Sequence, residues 1–206
     1  MFRDISYSIF VIIFLGMVMH IVADLVKGKF DSKSKGQLHK FWWIGWSNGL
    51  SCFSKLKRIV LIVAVTCLIV MFITAFSGRL AANQLMTGYI LMIHVGTAPV
   101  FIVCTVFLIV SWGYQCRLTE NEWGELLNRI MLKPASHENS MLFLKLTFWF
   151  SMGLSVPVSL SMLASMFTIF GTHGQEVLFN IHQYTSLALV SSVVIHLYLL
   201  LRNQYK

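Results

Sequence analysis

Residues 177–201 read VLFNIHQYTSLALVSSVVIHLYLLL, an apolar run with no Asp, Glu, Lys or Arg. It holds two histidines, His182 and His196, fourteen positions apart (196 − 182). On an α-helix, fourteen steps of about 100° close to within roughly 40° of whole turns, while the rise is about 21 Å. Both imidazoles therefore project from one face, one near each end of a segment about long enough to cross a bilayer. Ligands stacked in this way hold two flat metal cofactors at different depths. The geometry points to a diheme, b-type, electron-carrying membrane bundle.

The rest of the chain supplies such a bundle. Hydrophobic residues make up 57% of it and charged residues 12%, with a mean hydropathy of +0.74. A soluble domain seldom carries so few charges. Five spans are expected, at 5–26, 59–76, 85–112, 141–170 and 177–201, in a single all-α membrane domain covering residues 1–206. The loops between them are too short to fold alone. The first run has only Arg3 as a basic residue ahead of it, and no A-x-A-like cleavage site follows, so it reads as a retained span rather than a signal peptide.

The net charge of +8 is distributed as lipid orientation demands, and nucleic acid is not an expected partner. Residues 27–58 carry Lys27, Lys29, Lys33, Lys35, Lys40, Lys55, Lys57 and Arg58. Arg117, Arg129, Lys133, Lys145, Arg202 and Lys206 fall on the same side, against Arg3 and Arg79 on the other. The positive-inside rule then puts the N-terminus outside and the C-terminus in the cytoplasm, as expected of a prokaryotic inner membrane protein. Residues 37–53 (QLHKFWWIGWSNGLSCF) form an aromatic, basic stretch lying on the inner leaflet, with Trp42, Trp43 and Trp46 as an interfacial belt. Residues 121–132 form a short inner-face helix.

Motifs narrow the chemistry. GxGxxG, GxxxxGK[ST], HExxH and GxSxG are absent, which speaks against nucleotide binding, metalloprotease work and a hydrolytic serine. No hydrolytic or transferase activity of its own is expected. Of the four cysteines, none belongs to CxxCH or CxxC, so haem would be held by coordination, and neither zinc nor an iron–sulfur cluster is indicated.

Four of the seven histidines, His20, His94, His182 and His196, fall within spans. An ionisable group at membrane depth is costly and marks a functional site by default. These four pair by depth. His94 is nine residues past Leu85 and His182 five past Val177, about 13 Å and 8 Å below the outer edge. His20 is seven residues short of Lys27 and His196 six short of Arg202, about 10 Å and 9 Å from the inner edge. The expected axial ligands are His94 with His182 for an outer haem b and His20 with His196 for an inner one. Two imidazoles fill both axial positions, which suits electron transfer. Gly16, Gly88 and Gly96 either make room for a porphyrin face or mark close helix packing. Arg79, with His173, is placed to meet propionates at the outer face. His39 is a second-choice ligand.

The final span, with its H-x13-H from His182 to His196, resembles the last helix of the cytochrome b subunits of membrane formate dehydrogenases and nickel–iron hydrogenases. TGYILMIHVGTAPVF (87–101) is similar to their span bearing the partner ligand. The resemblance covers residues 59–201. It implies a four-helix bundle with two b haems passing electrons between a catalytic complex and the quinone pool. Its partners would be iron–sulfur or multihaem redox subunits, and quinone would be the substrate. It also implies His94 and His182 for one haem and His196 for the other. The chain departs from the family in its second span, which has no histidine, so His20 on an extra N-terminal span completes the set. Five spans with the N-terminus outside resemble the cytochrome b subunit of respiratory nitrate reductases, where the ligand placement differs. Two rival readings remain open: a transporter or proton conductor using buried histidines as relays, and a structural anchor with one haem or none.

Overall fold

In the computed structural model, residues 2–26, 52–81, 84–132 and 140–204 are described. They form six α-helices and one 3-10 turn, with no strand among them. The helices are α1 (Phe2–Val26), α2 (Cys52–Ala81), α3 (Gly88–Trp112), α4 (Glu120–Ile130), α5 (Ser140–Ser165) and α6 (Gly171–Gln204); Thr168–Phe170 is the 3-10 turn. All but α4 are long and apolar enough to cross a membrane. The chain is thus an all-α polytopic membrane protein, with the five expected spans in place. The belt tryptophans Trp42, Trp43 and Trp46, together with His39 and His137, lie outside the described residues.

Large apolar side chains that face outward are the consequence of that solvent. Ile12 is 67% exposed, Val103 70% and Val110 78%, which only hydrocarbon can accommodate along a whole helix face. Between helices, lipid removes the hydrophobic advantage of burial, and packing depends on small residues and polar bridges. The α5–α6 interface follows that rule. It buries Ser151, Ser155, Ser161, Ser191 and Ser192, and the Ser151 and Ser192 hydroxyls share a hydrogen bond of 2.7 Å.

Two antiparallel hairpins result, α2–α3 and α5–α6, each closely packed within itself, while the two touch each other sparsely. One layer joins them at mid-height: Cys67 of α2, Phe101 of α3, Val158 of α5 and Leu189 of α6. Below, Ala64, Cys104 and Leu108 continue a core inside the first hairpin only. The upper half is taken as the end holding Phe2, Arg79, Gly88 and Gly171, where both hairpins turn. Gly88 and Gly171 open their helices with φ of +60°, a conformation that Gly adopts without strain.

The first helix, α1, leans on this assembly at its two ends. Above, the Tyr7 hydroxyl donates to the Leu80 carbonyl at 2.9 Å. Below, the Arg202 guanidinium grips the Asp24 carboxylate with two bonds of 2.7 and 3.1 Å. The amphipathic helix α4 starts on a capping box in which Thr119 and Glu122 satisfy each other's backbone N–H groups. Lys145 of α5 then ties Glu122 down at 2.8 Å.

Candidate haem-binding site

His94 and His182 come from different hairpins and meet in the upper half. Their ring centroids are 6.4 Å apart and the ring planes cross at 83°. A metal held between two imidazole nitrogens at about 2 Å each requires a centroid separation of roughly 6 Å. The observed separation is close to that value.

Each ring is oriented through Nδ1. His94 Nδ1 lies 2.9 Å from Thr74 Oγ1. The Thr74 hydroxyl hydrogen is turned back onto its own helix, toward the carbonyls of Val70 at 2.8 Å and Met71 at 3.1 Å. With the hydroxyl hydrogen on one of these carbonyls, Thr74 Oγ1 accepts and His94 Nδ1–H donates. His182 Nδ1 lies 3.0 Å from the Val158 carbonyl, and a carbonyl can only accept. Ser161, whose hydroxyl also donates to Val158 at 3.0 Å, is a longer contact of His182 at 3.5 Å. With both protons assigned to Nδ1 by these partners, the lone pair of each ring sits on Nε2, which has no hydrogen bond among the described residues. Metal-binding histidines are held in this way, one nitrogen anchored and the other presented.

The same device recurs below. His196 Nδ1 is 2.7 Å from Thr147 Oγ1, and Thr147 back-bonds to Phe143 at 2.9 Å and Leu144 at 3.1 Å. With its hydrogen on one of these carbonyls, Thr147 Oγ1 accepts from the His196 Nδ1–H. His20 is held differently. Its Nδ1 is 2.6 Å from the Tyr198 hydroxyl, its ring meets the Tyr198 ring edge-on at 5.8 Å, and Asp24 lies 3.9 Å away. Tyr198 is two residues beyond His196, about 200° around the helix. His20 and His196 thus share a depth on opposite sides of α6, without the direct ring contact seen above.

Space for a planar ligand exists beside the upper pair. A cavity of about 230 Å³, open on one side, lies between the hairpins and is lined by both His94 and His182. The layer residues Phe101, Val158 and Leu189 form its floor, and Ala75 and Ser186 are the small residues along its wall. Gly16, Gly88 and Gly96 do not line it, and a Cβ at any of them would meet open space.

The donor set decides which metal chemistry fits. Among the described residues no three His, Cys, Asp or Glu converge on a common point, so a bare zinc or copper site is not formed. Two imidazoles alone would suit iron in a planar macrocycle that supplies its remaining ligands, as in a b-type haem. The chain matches no known family model, no curated protein and no solved structure.

Proposed function

We propose that this protein is a diheme b-type cytochrome, the membrane subunit of a respiratory redox complex, which passes electrons between a partner redox subunit and the quinone pool. The observation that carries the reading is the His94–His182 pair. Two rings from separate hairpins face one cavity at metal-sharing distance, with their Nδ1 protons committed to Thr74 and to the Val158 carbonyl. Haem, when bound, supplies one-electron redox chemistry; the residues set its position, burial and access.

In this reading His94 and His182 hold the upper haem b, while the lower one rests on His196; His20, on the opposite side of α6, completes it only if α1 moves to bring both rings to one face. His196 is already oriented by Thr147, and the Nε2 of His20 makes no hydrogen bond among the described residues. The rise of about 21 Å between His182 and His196 separates the two sites across the bilayer. The upper half is the outer face of a prokaryotic cytoplasmic membrane. An iron–sulfur or multihaem partner supplies the catalytic centre, and no bond chemistry occurs in this subunit.

Substitution tests the assignment. His94→Ala and His182→Ala each remove the same haem, and His20→Ala and His196→Ala each remove the other, measured as haem per chain with redox spectra of the purified variants. Different haems lost from His94→Ala and His182→Ala would contradict the upper site. Two full haems in His20→Ala would contradict the lower one. A second reading, proton conduction, is favoured by the connected His20, Tyr198, Asp24 and Arg202 groups. It predicts a colourless protein that carries protons across liposome membranes.

A further inference from the structure

Among the described residues, the cavity beside His94 and His182 is lined by one charged side chain. Arg79, at the upper end of α2, lines it together with Gln84 and Gln183, and no Asp or Glu does. Its Nε is buried and has no hydrogen-bond partner among the described residues. The one contact that its charge makes there is with the Phe2 ring, 5.8 Å from the guanidinium carbon. A charge at the edge of hydrocarbon is costly, and a buried N–H without an acceptor adds the full desolvation penalty of that group. Both costs vanish if an anion enters the cavity. A guanidinium fork matches a carboxylate, which accepts two parallel N–H bonds. Arg79 is five residues beyond Thr74 on the same helix, about 7.5 Å higher, so it lies above the level at which His94 is anchored. A flat ring standing between the imidazoles would turn one edge toward it.

We infer that Arg79 is the carboxylate-binding residue of this cavity and, resting on the function proposed above, that the carboxylate is a propionate of the upper haem. Arg79 is then a ligand-binding residue, and the orphaned Nε is its unused donor.

The test compares iron protoporphyrin IX with its dimethyl ester, in which both carboxylates are masked. Full-length chain produced under haem limitation is titrated in detergent with each, and binding is followed by the bis-imidazole spectrum. A hydrogen bond to a charged group corresponds to about ten- to hundredfold in affinity. The wild type is expected to prefer the free acid by that factor. R79A is expected to bind both forms equally, R79K to keep part of the preference, and R79Q to lose most of it. The last two variants carry the test if R79A does not fold. Equal binding of both forms by the wild type, or an unchanged preference in R79A and R79Q, overturns the role of Arg79 and leaves the histidine assignment standing. A wild type that takes up neither form overturns both.

Discussion

Thr74 and Thr147 perform one task in opposite halves of the bundle. Each turns its hydroxyl hydrogen onto its own helix and offers the oxygen to an imidazole Nδ1–H, His94 above and His196 below. Removing such an anchor typically costs ten- to hundredfold in metal affinity. Thr74→Ala should therefore weaken retention of the upper haem by about that factor, and Thr74→Ser, which back-bonds in the same way, should restore it. Haem dissociation measured for the three proteins checks this, and wild-type retention in Thr74→Ala would refute it. The histidines were legible in the sequence because imidazole at membrane depth is rare and costly. Their anchors were not. A Thr or Ser inside an apolar helix reads as ordinary packing, and only the register between helices shows that it faces a ring. Tyr198 was missed for the same reason, since nothing local tells which side of α6 meets α1. At Arg79 the sequence supplied the charge and its place, whereas the unused Nε needed the fold.

Spans are the most legible elements, because an apolar run of bilayer length has few alternatives. Their ends were less so. The expected 177–201 begins at Gly171 in α6, since the polar residues GTHGQE continue the helix past the apolar run. The expected 59–76 extends to Cys52–Ala81 in α2. The expected 141–170 stops at Ser165, and its remainder becomes the 3-10 turn before Gly171. The expected short inner-face helix is α4, whose capping box at Thr119 and Glu122 fixes its start. Glu122 also receives Lys145, and that bond, more than any other cause, holds its carboxyl below the usual glutamate range, with the Thr119 backbone N–H adding to it. A carboxyl whose value is lowered by docking contributes stability that is present above the ordinary glutamate value and is lost as pH falls through the lowered one. The junction between α4 and α5 should thus open below the normal glutamate range. Hydrogen exchange of α4 should rise there in the wild type, whereas Glu122→Gln should exchange fast at neutral pH with little further change. A wild-type α4 that stays protected through that range would show that this ion pair does not dock it.

At the scale of the whole molecule, the arrangement is two tight hairpins joined by one layer, Cys67, Phe101, Val158 and Leu189, with open space above it. Protein interiors are close-packed, and this open space lies where the two hairpins touch least. The sequence suggested that His94 and His182 pair, and their rings do meet, but not that a cavity would form between the hairpins, because helix–helix spacing is set by contacts far apart in the chain. A ligand that bridges the hairpins also stabilises the fold by mass action. The rings of the upper pair meet, whereas His20 rests on Tyr198. The central claim is that four imidazoles hold two irons within the spans. Pyridine haemochrome quantification of the purified full chain, with reduced-minus-oxidised spectra, tests it most directly. The account predicts two b-type haems per chain, both low-spin and bis-imidazole. A protein made with haem in full supply that emerges colourless and free of iron would contradict it.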